Sequence, residues 1–308
     1  MNVQNPSASR GIAIQAVDLV KNYGTGSNMV HALRGVNVSF ERGKFTAIMG
    51  PSGSGKSTLM HTLAGLDSAT SGHILFGGAD LTRMDDKQLT LLRRHKIGFI
   101  FQSFNLLPMF TAEQNILMPL TLAGDKPDRA WFDLLVETLG LKQRLNHRPN
   151  ELSGGQQQRV AIARALITKP KLVFADEPTG NLDSVSSAEV LGFLKRSVNE
   201  LGQTIVMVTH DAVAASYADR AIVFSDGRIV ADEQHPNAEV MNELLMAERE
   251  RTTRTTLTDT PADQMAQMAG VLNVPDLPIT DAPLPPAVPT SGREGTLRHA
   301  RAAARHAR

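Results

Sequence analysis

The residues with the clearest chemistry form a glycine-rich run that fits the pattern G-x-x-x-x-G-K-[ST]. The run comprises Gly50, Pro51, Ser52, Gly53, Ser54, Gly55, Lys56 and Ser57. Its three glycines allow backbone conformations that other residues avoid, so successive N–H groups can point toward one anion. Lys56 adds a positive charge, and Ser57 adds a hydroxyl ligand for magnesium. We interpret the run as a loop that binds nucleotide phosphates; the alternative is an ordinary glycine-rich turn.

Four polar side chains each follow an apolar, strand-like segment: Gln102, Asp176, Glu177 and His210. Asp176 can organise the water shell of a magnesium ion, and Gln102 offers an amide oxygen to metal or water. Glu177 can accept a proton from the water that attacks a terminal phosphate, and His210 can donate to that phosphate or to its nucleophile. Taken alone, the glutamate could be a surface acid and the histidine a structural residue. Their common position at strand ends favours the catalytic interpretation.

A second glycine site follows Leu152 and comprises Ser153, Gly154, Gly155 and Gln156. Ser153 is placed as the N-cap of a helix that continues to about residue 166. Glycines at a capped helix N-terminus form an anion-binding site. Spacing alone leaves open whether both glycine sites serve one nucleotide.

The elements that must position these residues alternate between strands and helices. Short apolar strands are predicted at 45–49, 97–101, 171–175 and 204–208, and a helix follows the first glycine loop. Segments 12–20 and 32–40 predict an antiparallel β-layer, with the first strand ending before residue 21, and segment 72–78 predicts a further short strand that ends in a turn. Consecutive helices between about 103 and 168 indicate an inserted helical subdomain. The predicted fold class is therefore α/β.

The predicted domain spans residues 1–250 and ends in a helix at 237–250. Residues 252–308 hold seven of the 16 prolines and an arginine-rich end, so we expect 251–308 to be a disordered tail. A short helix is plausible only at 262–269. The basic end is interpreted as solvated, with contact to anionic lipid or an acidic partner as the alternative.

Composition excludes several functions. Of the 308 residues, 42% are hydrophobic, and the formal net charge of +1 argues against a general polyanion binder and a nucleic-acid partner. Cysteine is absent, which rules out disulfides and thiolate zinc sites. Neither a signal pattern in the first ten residues nor a run of about 18 apolar residues is found. A cytosolic protein is expected, unless a partner holds it at a membrane.

The pattern L-S-G-G-Q at 152–156, together with the strand leading into Asp176 and Glu177, resembles the ATP-binding subunit of an ABC transporter over residues 10–235. The resemblance implies a P-loop NTPase (RecA-like) core with ATP and Mg²⁺ as cofactors. It implies that Tyr23 stacks on adenine and that residues Gly50 to Thr58 surround the phosphates. Ser57, Gln102 and Asp176 match the magnesium positions, Glu177 the catalytic base and His210 the switch histidine.

The same resemblance implies partners. Residues Ser153 to Gln156 match the signature that meets the ATP bound by the opposite subunit, so a homodimer is expected, with Asn181 to Asp183 between the two sites. Residues 98–108 and 115–120 are similar to the branch of lipoprotein-release, macrolide-efflux and antimicrobial-peptide-resistance ATPases. Members pair with an integral-membrane permease that docks near Gln102, which places the subunit peripherally on the cytoplasmic face of the membrane. Leu106, Leu107 and Phe110 could form an apolar knob for that partner or pack in the core.

The function expected from the resemblance is ATP hydrolysis that powers an efflux or force-transmitting permease. The alternatives are an ATPase of a solute importer and a soluble non-transport ABC ATPase. A purely regulatory module would be expected to lack Glu177 or His210. The ATPase subunit does not hold the cargo, so the sequence specifies neither substrate nor direction.

Overall fold

The computed structural model describes residues 11–258. The predicted helix at 262–269 and the arginine-rich end lie outside the described residues. The antiparallel layer contains four strands in the order β2-β1-β4-β5. They are β1 Ile12–Tyr23, β2 Val30–Glu41, β4 Ser71–Phe76 and β5 Ala79–Asp80.

The predicted antiparallel layer is confirmed, but the predicted end of its first strand is wrong. Strand β1 continues to Tyr23 because Asn22 pairs with His31 and Tyr23 pairs with Val30 of β2. Cross-strand pairing therefore extends β1 through a polar segment that looked like a break.

The second sheet has six strands in the order β10-β9-β3-β8-β7-β6. They are β3 Phe45–Met49, β6 Ile97–Ile100, β7 Leu172–Asp176, β8 Ile205–Val208, β9 Arg220–Ser225 and β10 Arg228–Gln234. Strands β9, β3, β8, β7 and β6 run parallel, and β10 pairs antiparallel with β9. The parallel strands place their carboxyl ends at one edge, where ligands bind in open α/β sheets.

Eight helices are found within residues 11–258. They are α1 Lys56–Leu63, α2 Asp86–Lys96, α3 Ala112–Ala123, α4 Arg129–Thr138, α5 Gly154–Leu166, α6 Ser184–Leu201, α7 Ala212–Ala215 and α8 Ala238–Thr258. No helix in this part of the chain is long and apolar enough to cross a membrane. Ser153 caps α5 as predicted, because its side chain accepts a hydrogen bond from the backbone of Gln156.

Three helices, α3, α4 and α5, lie between β6 and β7 with no strand among them. This agrees with a helical insertion, although the bounds of 103–168 stay a prediction. Arg164 of α5 holds the loop between β6 and α3. Its guanidinium donates to the carbonyls of Asn105 at 2.6 Å and Phe104 at 2.7 Å. The loop is therefore held against the carboxyl-terminal half of α5, which we call the signature helix because it begins within the L-S-G-G-Q pattern.

The central strands β3, β8 and β7 are buried on both faces of the sheet, which explains why they read as unbroken apolar runs. Phe45, Ala47 and Met49 of β3 face a core shared with α3 to α6, whereas Ile48 faces a core shared with α1 and the antiparallel layer. Every residue of β3 is buried. The strand that delivers the glycine loop is therefore held between two cores.

Helix α8 is longer than the sequence predicted. It continues to Thr258, so the first eight residues assigned to the tail, 251–258, are helical. Neither proline nor glycine interrupts the chain between residues 251 and 258, and the first proline beyond is Pro261. The domain boundary itself stays a prediction.

Candidate nucleotide-binding and catalytic site

The glycine loop connects β3 to α1 at the carboxyl edge of the parallel sheet. Gly50 has φ 147° and Gly55, the N-cap of α1, has φ 103°. A Cβ at Gly50 would come within 1.9 Å of the Phe224 carbonyl oxygen, and one at Gly55 within 2.4 Å of the Ala32 carbonyl oxygen. Both positions therefore require glycine for the backbone conformation and for the close approach of neighbouring chain.

Lys56 lies inside this loop and is 7% exposed. Its ammonium donates to the carbonyl oxygens of Gly50 at 2.9 Å and Pro51 at 2.7 Å. Burial lowers the pKa of Lys56, while the carboxylates of Glu177 and Asp176 act in the opposite direction. The Oγ of Ser54 is buried without a hydrogen-bond partner in the described structure. A phosphate oxygen in the loop would supply acceptors for both side chains.

Ser57 and Asp176 meet beside the loop, with the Ser57 Oγ 3.5 Å from Asp176 Oδ1. Burial raises the pKa of Asp176 and the negative charge of Glu177 adds to that effect, although the charge of His61 opposes it. A hydroxyl and a desolvated carboxylate form a donor set that suits Mg²⁺. No group of three or more metal-ligating His, Cys, Asp or Glu side chains occurs in residues 11–258. A cation here would therefore need further ligands from water or phosphate.

Glu177 and His210 form a pair at the ends of β7 and β8. The Nδ1 of His210 lies 2.9 Å from a carboxylate oxygen of Glu177. Glu177 adopts φ 44°, a conformation that is uncommon outside glycine, and its N–H donates to the Val208 carbonyl at 2.9 Å. The pair can share a proton and hold a water molecule, which is the chemistry required of a general base.

Gln158 of α5 is a site residue that sequence reasoning missed. Its side chain is fully buried, and its Nε2 donates to the carbonyl oxygen of Pro178 at 2.7 Å. Pro178 follows Glu177, so this amide supports the turn that carries the carboxylate. The only sequence signal was a polar residue on the inward face of the signature helix.

Tyr23 shares a cavity of about 720 Å³ with the glycine loop. Residues that no motif marked complete its walls: Met29, Val30, His31, Ala32, Arg34, Asp226 and Gly227. Tyr23 is 41% exposed. The structure thus brings the predicted adenine-stacking residue and the predicted phosphate loop, including Thr58, together in one ligand-sized space.

Gln102 lies apart from the Ser57 and Asp176 pair. A Cβ on Gly180 would come within 2.7 Å of Gln102 Nε2, and Asn181 Nδ2 donates to the Gln102 carbonyl at 2.9 Å. Its side chain therefore packs on the turn after Glu177. No hydrogen bond joins Gln102 to Ser57 or Asp176 in the described chain.

The second glycine site is also separate from the first. Ser153 and Gln156 form a reciprocal capping box, and Gly154 lies against Leu182, Asn181 and Phe104. Within residues 11–258, no hydrogen bond joins the segment 153–156 to the glycine loop. Ser153 is exposed, so this helix N-terminus faces outward.

A glycine loop between a strand and a helix, with two carboxylates at the carboxyl end of β7 in the same parallel sheet, defines a protein of the P-loop nucleotide-binding class. The family described as ABC transporter matches residues 33–180. A lipoprotein-releasing system ATP-binding protein, LolD, from Geobacter metallireducens is 49% identical over 221 residues, covering 71% of this chain and 98% of LolD. The chain belongs to the ABC transporter family of ATP-binding proteins, and it is an ATPase.

Two further relatives differ in how much of them is matched. The bacitracin export ATP-binding protein BceA from Halalkalibacterium halodurans is 44% identical, covering 70% of this chain and 86% of BceA. The macrolide export ATP-binding/permease protein MacB from Bdellovibrio bacteriovorus is 47% identical over 70% of this chain. The chain spans about a third of MacB, 33% of its length.

Solved structures agree with this assignment. An ATP-binding cassette in a dimeric, post-hydrolysis state bound to ADP and phosphate matches with a TM-score of 0.66 and 40% identity. The match covers 73% of this chain and 99% of the cassette. The expected fold class and ATPase activity are confirmed, whereas the roles of the individual site residues stay predictions.

Proposed function

We propose that this chain is one of two identical ATPase subunits that close on two ATP molecules and drive a separate integral-membrane permease. The observation that carries the proposal is the contact of 2.9 Å between Glu177 and His210 beside the Lys56 cradle. This contact supports the assignment of a base and its partner that would act on a water molecule at the terminal phosphate of ATP.

The chain's own residues supply binding and proton transfer. Lys56 and the N–H groups of the glycine loop bind the β- and γ-phosphates, and Ser54 can donate its unpartnered hydroxyl to them. As the water oxygen bonds to the γ-phosphorus and the bond to ADP breaks, Glu177 accepts the water proton and later returns it to phosphate. His210 holds the Glu177 carboxylate in place during this step.

Ser57 and Asp176 fit a magnesium site, because they pair a hydroxyl with a desolvated carboxylate 3.5 Å away. Mg²⁺ bound there would neutralise charge on the phosphates. Gln102 could join this site if the segment after β6 moves away from Gly180. The absence of a three-residue cluster among the described residues agrees with a cation held mainly by water and nucleotide.

The signature segment, Ser153 to Gln156, supports the homodimer, because its capping Ser153 is exposed. A capped helix N-terminus with two glycines is an anion site that its own chain leaves open. A second copy carrying ATP on its glycine loop would supply the missing phosphate. The related cassette forms a dimer after hydrolysis, which agrees with this arrangement.

A groove beside the signature helix supports the permease partner. It has a volume of about 480 Å³ and is walled by Phe99, Phe101, Met118, Pro119 and Leu122. Arg93, Arg94 and Arg164 add positive charge to its walls, so an apolar segment with acidic residues would fit it.

The sequence leaves Leu106, Leu107 and Phe110 open between an apolar knob and core packing. Leu106 packs against the core and Phe110 is half-buried, whereas Leu107 is 36% exposed. Nearby, Met109 is 69% exposed and Leu122 is 68% exposed.

The names of LolD, BceA and MacB describe release or export, which favours an efflux or force-transmitting permease over an importer. Such a subunit would lie on the cytoplasmic face of the membrane.

The test is Glu177→Gln, which keeps the shape of the side chain and removes the base. We expect ATP binding to persist, turnover to fall by about 100-fold or more, and a stable dimer to form with ATP. Light scattering coupled to size-exclusion chromatography, together with phosphate release, measures both effects. Glu200→Gln, at an exposed glutamate of α6, is the matched control. Near-normal turnover in Glu177→Gln would reject Glu177 as the base.

A further inference from the structure

We infer that Asp67 and Lys21 are positioning residues that hold the ring of Tyr23 in the orientation required to stack on the ATP base. This inference rests on the proposed function, because it takes the cavity next to Tyr23 as the base site. Neither residue belongs to a motif in the sequence. Their role is argued from contacts, burial and connection to the phosphate loop.

Asp67 receives a donor on each of its carboxylate oxygens. The Tyr23 hydroxyl donates to Oδ2 at 2.5 Å, and the Lys21 ammonium donates to Oδ1 at 2.6 Å. Lys21 also donates to the Ser68 carbonyl at 2.7 Å. The phenol of Tyr23 is therefore fixed at its far end by a charge-assisted hydrogen bond, the stronger kind.

Lys21 also contacts the Tyr23 ring itself. Its ammonium lies 4.8 Å from the ring centroid, within the range of a cation–π interaction. Lys21 is 7% exposed, whereas Tyr23 is 41% exposed and lines the cavity. One face of the ring is thus covered by a buried cation, and the exposed remainder is available to a planar base.

The two ionisation states that this arrangement needs are favoured by the surroundings. Burial alone would raise the pKa of Asp67, but hydrogen bonds from Lys21 and Tyr23 hold it below its usual value. Burial raises the pKa of Tyr23, and its hydrogen bond to Asp67 adds to that effect. Asp67 stays charged and Tyr23 stays protonated across the neutral range, so the donor and acceptor persist.

Asp67 connects the Tyr23 ring to the phosphate loop through α1. The N–H groups of Leu66 and Asp67 both donate to the His61 carbonyl, at 2.9 and 3.3 Å, so the turn that follows α1, with Gly65 at φ 63°, is hydrogen-bonded to the last turn of the helix. The other end of α1 begins at Lys56, in the glycine loop. Asp67 is therefore joined to the phosphate loop by one helix of eight residues.

Stacking on an aromatic ring accepts any base, so loss of the tether is expected to weaken nucleotide binding without a large change in base preference. The phosphate cradle would be unaffected. The quantity to measure is therefore the affinity for ADP relative to pyrophosphate, which occupies the same loop but has no base.

Isothermal titration calorimetry with ADP and with pyrophosphate tests the inference. We expect Asp67→Ala and Lys21→Met to weaken ADP binding by about five- to tenfold, a part of the one to two orders of magnitude that a stacked base contributes. Pyrophosphate affinity should not change. Tyr23→Phe, which removes only the hydroxyl, should give a smaller loss for ADP and avoids any risk of misfolding. Asp80→Ala, which removes another hydrogen-bonded carboxylate of the same layer, is the control.

Tyr23→Ala separates this inference from the proposed function. It should weaken ADP binding more than Asp67→Ala, and the double variant should be no weaker than Tyr23→Ala alone, because Asp67 acts through the ring. Equal losses for ADP and pyrophosphate in Asp67→Ala, or additive effects in the double variant, would overturn the positioning role. If Tyr23→Ala itself leaves ADP affinity unchanged, the base site of the proposed function is also wrong.

Discussion

The ammonium of Lys56 is oriented by hydrogen bonds within the glycine loop itself. Its ammonium is held by the carbonyls of Gly50 and Pro51, so little reorganisation is required to meet a phosphate. Burial lowers its pKa, but the two carboxylates nearby favour the charged form. In the proposed function, the ammonium would exchange these carbonyl acceptors for phosphate oxygens.

Lys56→Ala should remove this charge-assisted contact and weaken ATP binding by about 10- to 100-fold, corresponding to the loss of a hydrogen bond to a charged group. Equilibrium binding of a fluorescent ATP analogue measures the change. Lys87→Ala, at an exposed position on α2, is the control. A variant that binds ATP as tightly as the parent chain would contradict the cradle.

At the scale of elements, Asp219 joins three of them at the amino edge of the parallel sheet. Its Oδ2 accepts from the Phe45 N–H at the start of β3 at 2.9 Å, and its Oδ1 accepts from Lys195 of α6 at 2.5 Å. Asp219 itself precedes β9, and its N–H donates to the Phe45 carbonyl at 2.7 Å. The strand that carries the glycine loop is thus fastened at the end opposite its ligand.

Asp219→Asn should lower the free energy of unfolding at pH 7 by about 1–3 kcal/mol, the usual effect of losing hydrogen bonds to a charged group. Burial alone would raise the pKa of Asp219, but Lys195 and the Phe45 N–H hold it below its usual value. The carboxylate therefore stabilises the fold above the unfolded pKa, about 3.9, and this stabilisation is lost as the pH falls through the folded value.

Urea denaturation between pH 7 and pH 3 measures this dependence. The difference between parent and variant should shrink below about pH 4, where the unfolded carboxyl begins to protonate. Asp133→Asn, at an exposed carboxylate of α4, should have little effect at any pH. A loss of equal size at pH 7 and pH 3 would show that the charge of Asp219 is not responsible.

For the molecule as a whole, the proposed function assigns the chain two half-sites for ATP. The glycine loop lines the cavity with Tyr23, whereas Ser153 of the second glycine site is exposed. Gln158 joins α5, which follows Ser153, to the turn that carries Glu177. Under the proposal, a subunit would bind its own ATP, contact that of a partner, and connect the two sites through this buried amide.

Mixing two inactive variants tests this arrangement. Gly154→Asp should fold, because a Cβ at Gly154 meets its neighbours at 3.6 Å or more, but its charge would repel the partner's ATP. Neither Gly154→Asp nor Lys56→Ala should dimerise with ATP alone. Their mixture contains one intact composite site and should regain partial ATP-dependent association in light scattering. No association in the mixture would contradict sites shared between subunits.

The sequence by itself determined the elements whose signals are local. The glycine loop, the capping box of Ser153 and the buried parallel strands depend on backbone conformation and on the period of apolar residues, which neighbours along the chain specify. The sequence also places Glu177 and His210 each at the end of an apolar strand. Their contact at 2.9 Å is a finding of the structure, and it follows from the parallel strands ending at one edge.

Only the tertiary structure decided the contacts between residues distant in sequence. Pairing with β2 extends β1 to Tyr23, Leu106 is partly buried by packing on the core, and Gln158 donates to the Pro178 carbonyl. Tyr23 and Asp67 are 44 residues apart, yet their side chains meet at 2.5 Å. No local pattern encodes such a pair, because two separate sheets and a helix must pack before the hydrogen bond can form.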